Sequence, residues 1–299
     1  GLLKKSPENP QNFQKSIDVQ CFKDIEMNLL YNHLSVNEDG HLAIGGMDTI
    51  ELAREFGTPA YIMDEDAIRA MMRTYLDAAH TYFGADALPL YASKALCFTG
   101  IYRIAAEEGM GVDCVSGGEL YTAKRAGFPA ERIYFHGNNK TERDMDDAMD
   151  MGVGTFVVDN VDELLSLEAH AAARGITQRI LLRITPGIDP HTHKAVVTGN
   201  IDSKFGSAIE TGQADEITKI ALSLENVQLR GFHCHVGSQV FDSSVYIRSS
   251  EVMLNFIKTI KDKYGYTAKQ LDLGGGFGVR YTNDQPTLNV KERIEEIWV

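Results

Sequence analysis

The chain has 299 residues, 43% of them hydrophobic and 24% charged, with a formal net charge of −13. That length buries a substantial core and that composition belongs to a globular chain, which excludes a miniature scaffold and a disordered polymer. The negative charge and the scattering of Lys and Arg argue against a nucleic-acid partner. No apolar run approaches the roughly 18–20 residues that span a bilayer, and Gly1-Leu2-Leu3-Lys4-Lys5-Ser6 has no signal-peptide apolar region. A cytoplasmic protein without a membrane partner is therefore predicted.

Residues 1 to about 50 carry no repeat and contain the loop-like Asn37-Glu38-Asp39-Gly40 turn, so they read as a separate structural unit. Pro59 to Asp64, followed by a helical Glu65 to Ala79, reads as the connection into what comes next. From Leu88 onward short β-type runs alternate with longer amphipathic segments, the pattern of a βα-repeat protein. The predicted strands are Leu88 to Ser93, Gly111 to Val115, Ile133 to His136, Thr155 to Val158, Arg179 to Ile184, Leu229 to His235 and Gln270 to Leu273. Predicted helices include Gly118 to Ala126, Thr141 to Met149, Val161 to Arg174, Ala214 to Leu224 and Ser244 to Tyr264. Thr141 and Asn160 are capping residues, and Ala126-Gly127-Phe128-Pro129 and Arg174-Gly175 are stop signals.

Polar residues collect where these strands end. Lys94, Asp113, His136, Asp159, Arg183 and His235 each fall at or just beyond the C-terminal end of a strand, and Gly274 to Gly276 follow the seventh. In a (β/α)8 barrel that face carries the chemistry. The segment Asp272-Leu273-Gly274-Gly275-Gly276-Phe277-Gly278 lets backbone amides approach an anion, although it reads equally as a tight strand-to-helix turn. Dinucleotide and P-loop glycine spacings are absent.

Cys21, Cys97, Cys114 and Cys234 are widely spaced, without CxxC pairing, and read as free thiols. His191 and His193 stand at i and i+2, but no Cys or acidic partner arrives at a recognised zinc spacing, so no metal is expected there.

Four blocks occur in the order of a known family: Tyr91-Ala92-Ser93-Lys94-Ala95, Gly111-Val112-Asp113 through Ser116-Gly117-Gly118-Glu119, His233-Cys234-His235-Val236-Gly237-Ser238-Gln239, and Asp272-Leu273-Gly274-Gly275-Gly276. Over roughly residues 40 to 282 the chain resembles the fold-type III pyridoxal-phosphate (PLP) dependent decarboxylases. The run Pro186-Gly187-Ile188-Asp189-Pro190-His191-Thr192-His193, with Thr198-Gly199 and Lys204-Phe205-Gly206, is similar to the diaminopimelate decarboxylase branch rather than to ornithine or arginine decarboxylases.

The resemblance implies an alanine racemase-like PLP-binding (β/α)8 barrel and a lyase that converts meso-diaminopimelate to L-lysine and carbon dioxide, the last step of bacterial lysine synthesis. It implies Lys94 as the aldehyde-binding lysine and His235 stacked on the cofactor ring, these two being the catalytic candidates. Ser238 and the amides around Gly275 and Gly276 would hold the cofactor phosphate, with Asp113 and Arg183 as positioning groups near the ring. The loop with His191 and His193 would border the substrate entrance, and the family works as a homodimer.

Departures from the family pattern are also visible. The Glu-Pro-Gly-Arg segment of an eighth strand and a later C-terminal β-domain with a Cys-Glu-Ser-Gly-Asp proton donor are missing, so a barrel incomplete at its C-terminus is expected. On this reading residues 1–45 normally pack with that β-domain, and 46–299 form the barrel. Three other readings stay open: a single-barrel PLP carrier, another basic amino-acid decarboxylase, and a barrel that binds a phosphorylated metabolite without PLP.

Overall fold

The computed structural model describes residues 31–188 and 204–298. Cys21, His191, His193, Thr198 and Gly199 lie outside the described residues. Two compact units emerge, one holding the described residues up to Ile68 with Tyr281–Gln285, the other Arg69–Arg280 with Pro286 onward.

In the first unit, β1 (Leu34–Val36), β2 (Leu42–Ile44) and β3 (Met47–Asp48) form an antiparallel sheet that leads into α1 (Thr49–Phe56). The Asn37 to Gly40 segment is the predicted turn. Asn37 Oδ1 accepts from the amides of Asp39 and His41 at 3.1 and 2.9 Å and so closes the β1–β2 connection. Asp48 caps α1 by accepting from Ile50 N at 2.7 Å. Residues 59–64 form no strand, in keeping with their reading as a connection.

After α2 (Glu65–Phe83) the βα repeat begins. It runs through β4 (Leu90–Ala92), α3 (Thr99–Glu108), β5 (Gly111–Cys114), α4 (Gly117–Ala126), β6 (Ile133–Phe135), α5 (Glu142–Met151), β7 (Thr155–Val158) and α6 (Val161–Arg174). It continues with β8 (Gln178–Thr185), β9 (Ser207–Ala208), α7 (Gln213–Ser223), β10 (Val227–His233), α8 (Ser243–Tyr264), β11 (Gln270–Asp272) and α9 (Val290–Trp298). The strands are parallel in the order β11-β10-β8-β7-β6-β5-β4, with β9 paired to the end of β8. Among the described residues no pairing joins β4 to β11, so the sheet is an open part of a barrel.

Both faces of the sheet are covered, which is why its strands are apolar runs rather than alternating ones. Val112, Ile133, Phe135, Phe156, Val158, Ile180 and Leu182 are completely buried. The sheet also curls. Gln270 Nε2 on β11 donates to Tyr134 Oη on β6 at 3.1 Å, four strands along the order; in a flat sheet that separation is about 19 Å at roughly 4.8 Å per strand. The curl draws the strand ends, and the polar residues on them, toward one another.

Local chemistry fixes the helices between the strands. Thr141 and Asp144 make a reciprocal capping box at the start of α5, and Asn160 Oδ1 accepts from Glu163 N at 2.9 Å to start α6. Gly127, at φ +74°, closes α4 in the left-handed conformation that its sequence neighbours could not adopt without strain.

Candidate functional site

Each of the polar residues predicted at strand ends lies at the same end of the sheet. Lys94 is exposed in a single 3-10 turn, Ser93–Ala95, directly after β4. Asp113 is the third residue of β5, in register with Ala92 of β4 and Tyr134 of β6. His136 directly follows β6 and Asp159 directly follows β7, while Arg183 lies two residues before the end of β8. His235 lies two residues beyond β10.

These groups act on one another electrostatically. Burial, with the nearby Asp272 carboxylate second, pushes the Asp113 carboxyl up to about 7, and the charges of Lys94 and Arg183 pull it the other way. Burial likewise raises Asp272 to about 6 although its Oδ1 accepts from Gly274 N at 2.7 Å. His235 is lowered to about 3 by burial and then by the charges of Lys94 and Arg183, so its imidazole is neutral. Its Nδ1 accepts from Gly275 N at 3.4 Å, which assigns the ring proton to Nε2.

Arg183 is largely buried, with its guanidinium carbon 4.3 Å from the centre of the Phe205 ring and its Nε 4.0 Å from Asp159 Oδ1. Asp159 Oδ1 also accepts from Gly206 N at 3.1 Å. Burial lowers the Arg183 group, and Asp159 and Asp113 oppose that shift.

The glycine segment after β11 meets the loop after β10. Val240 N donates to Gly276 O at 3.0 Å, Gly278 N donates to Val240 O at 2.9 Å, and Tyr246 Oη donates to Gly275 O at 3.3 Å. Gln239, at φ +59°, donates from Nε2 to Val279 O and accepts at Oε1 from Val279 N, at 3.0 and 2.8 Å. A Cβ on Gly276 would lie 1.8 Å from Gly237 O, whereas one on Gly275 would meet nothing within 4 Å. Gly276 thus permits the two loops to touch, and Gly275 faces open space. Ser238 is half-buried in the same loop.

Three features of this end carried no role in the sequence reading. His136 and His233 stack edge to face with ring centres 4.7 Å apart, and burial keeps both well below the ordinary imidazole range. Glu119 reaches back from α4 so that its Oε2 accepts from Val115 N at 2.7 Å, fixing the chain just past β5. Lys140, buried, donates to Gly137 O, Val157 O and Glu163 Oε1 at 2.7, 2.8 and 2.7 Å, pinning the ends of β6 and β7 together. Glu119 closes the Ser116-Gly117-Gly118-Glu119 block, whereas the paired histidines in His233-Cys234-His235 and the His136 to Lys140 run follow no spacing rule.

A family model for the pyridoxal binding domain of pyridoxal-dependent decarboxylases matches residues 67–298. The curated diaminopimelate decarboxylase of Bacillus methanolicus is 44% identical over 262 residues, 88% of this chain and 60% of its own length. That of Bacillus subtilis is 44% identical over 261 residues, 87% of this chain and 59% of its own. A solved structure of diaminopimelate decarboxylase from M. jannaschii in co-complex with L-lysine superposes with a TM-score of 0.82 at 35% identity, covering 89% of this chain and 62% of that one. Lysine/ornithine decarboxylase from Vibrio vulnificus, complexed with putrescine, gives 0.68 at 27% identity, covering 83% and 61%. The chain therefore spans about 60% of the length of the curated relatives it matches.

Proposed function

This chain belongs to the pyridoxal-dependent decarboxylases through their pyridoxal binding domain, and from that membership we propose that the protein carrying it converts meso-diaminopimelate to L-lysine and carbon dioxide. The observation that carries the substrate is the 44% identity to curated diaminopimelate decarboxylases across 88% of the chain. The cofactor of the family is pyridoxal 5'-phosphate.

The residues present fit that cofactor. Gly275 leaves open space in front of a backbone that Gly276 and Gly274 hold against the preceding loop, a cradle suited to a phosphate. Asp113 Oδ1 is buried without a hydrogen-bond partner and so can receive a donor from a bound group. When bound, pyridoxal phosphate supplies an aldehyde for a lysine amine and a pyridine ring that absorbs the electron pair left by the departing carbon dioxide.

On this reading the chain's own groups divide the work. Lys94, exposed directly after β4, is the lysine whose amine would hold the aldehyde. His235, neutral and held edge-on by Gly275 N, presents a flat face for the ring to lie against. Ser238 and the amides of Gly275 and Gly276 would hold the phosphate. Asp113 and Arg183 position the ring and the lysine through their opposite charges, within reach of one another.

We also propose a cytoplasmic homodimer, in which residues 1–45 are distinct from a barrel domain 46–299. No described helix is long and apolar enough to cross a membrane. Assay of the protein with meso-diaminopimelate, ornithine and lysine tests the substrate. Lysine and carbon dioxide from the first, with at least a tenfold lower turnover of the others, is the expected result. Preferential release of putrescine from ornithine would overturn the substrate while leaving the decarboxylase reading intact.

A further inference from the structure

His136, His233 and Asp272 come from three strand ends far apart in the sequence, after β6 and at the last positions of β10 and β11. His233 and Asp272 are register partners across the parallel β10–β11 pair. One ligand atom from each of the three lies within 4.8 Å of the other two. His136 Nε2 and His233 Nδ1 are both buried without a hydrogen-bond partner, in residues that are 5% and 4% exposed. Asp113 Oδ1, equally unpartnered, is 3.7 Å from His136 Nε2.

A buried polar atom left without a partner costs about 1–3 kcal/mol, and native structures seldom place several side by side. Two imidazole nitrogens and one or two carboxylates are also the donor set of a late first-row divalent ion, and too nitrogen-rich for magnesium or calcium. We propose that His136, His233 and Asp272, with Asp113 beside them, form a binding site for a divalent cation of the zinc class. Donors about 2.0–2.1 Å from zinc stand roughly 3.3 Å from one another, so the His136–Asp113 approach is already near that spacing and the remaining side chains close inward. The charges of Arg183 and Lys94, and of Lys140 at His136, oppose the ion. The site shares Asp113 with the cofactor reading above, and zinc binding to the cofactor-free protein is read independently of decarboxylation.

The other cluster of donor groups among the described residues, Asp39, His41 and Asp48, is already spent: Asp48 Oδ2 accepts from Asn37 Nδ2 and pairs with His41 Nδ1, both at 2.7 Å.

Zinc is titrated by calorimetry into the cofactor-free protein, its His136→Gln and His233→Gln variants, and the His191→Gln/His193→Gln double variant, with circular dichroism of each. One zinc equivalent in the unaltered protein and in the double variant, lost in each single variant with the fold retained, is the predicted result. No saturable binding in the unaltered protein overturns the proposal, as does binding that survives His136→Gln and disappears from the double variant. If the single variants unfold, zinc-edge X-ray absorption of the unaltered, loaded protein decides instead: the scattering of two imidazole ligands supports the site, and none overturns it.

Discussion

At Asp113, burial and the Asp272 carboxylate hold the folded carboxyl at about 7, whereas in an unfolded chain it ionises near 3.9. The folded state therefore binds the extra proton between those values. Stability from the neutral form is fully present below the unfolded pKa and lost as pH rises through 7. Asparagine has no proton to lose, so Asp113→Asn should gain on the unaltered cofactor-free protein by about 2 kcal/mol between roughly pH 5.5 and 8. Urea unfolding at the two pH values measures it, and a gap that does not change with pH contradicts the assignment. The depressed His235 contributes in the opposite sense, its stability being lost as pH falls toward 3, but equally in both proteins. Lys140 gives a second test at this scale. Its side chain is 1% exposed and pairs with an equally buried Glu163, so Lys140→Met leaves a buried carboxylate unpaired and should cost about 3–5 kcal/mol. The Lys140→Met/Glu163→Leu double variant should recover most of that, and additive losses in the urea midpoints would show that the two groups do not act as a pair.

The two facing loops behave as one element after β10 and β11. Gly276→Ala sets a Cβ into Gly237 O at a φ of +91°, so it should lower both stability and affinity for pyridoxal phosphate. Gly275→Ala meets only open space and should keep the melting temperature within about 2 °C, since a surface change free of contacts alters stability by less than about 0.5 kcal/mol, while weakening phosphate affinity. Fluorescence titration with the cofactor separates the two effects; equal affinity in Gly275→Ala and the unaltered protein would remove the phosphate from this loop. The same scale shows what the sequence made legible. Thr155–Val158 and Val161–Arg174 fall where they were predicted, because a four-residue apolar run flanked by Gly154 and the Asn160 cap admits one reading. Helix α3 carried no start signal, since its N-cap is Phe98, which makes no side-chain capping bond, and only Gly109 marks its end. Strands β1 to β3, of three, three and two residues, are too short for periodicity to register. Gly231, at the β8–β10 register shift, leaves no room for a Cβ, which would lie 1.8 Å from Gln270 O on β11, a demand set by a neighbouring strand that no local pattern reveals.

At the scale of the whole molecule, function depends on curling a parallel sheet so that six strand ends converge. The placement of Lys94, Asp113, Arg183 and His235 at strand ends was legible because polar residues stood where apolar runs stopped. The His136–His233 contact was not legible, since its partners are brought together by the order of the sheet and not by spacing along the chain. The same curvature places the charges of Lys94 and Arg183 within reach of Asp113 and His235. This chain, which spans about 60% of its curated relatives, brings the residues proposed to hold the cofactor to one end of the sheet. The most direct test is to incubate the protein with pyridoxal phosphate, reduce it with borohydride and map the peptides by mass spectrometry, beside Lys94→Ala. One pyridoxyl mark is expected, on the peptide holding Lys94 and absent from the variant; a mark on another lysine in the unaltered protein, undiminished by the substitution, would overturn the assignment of Lys94.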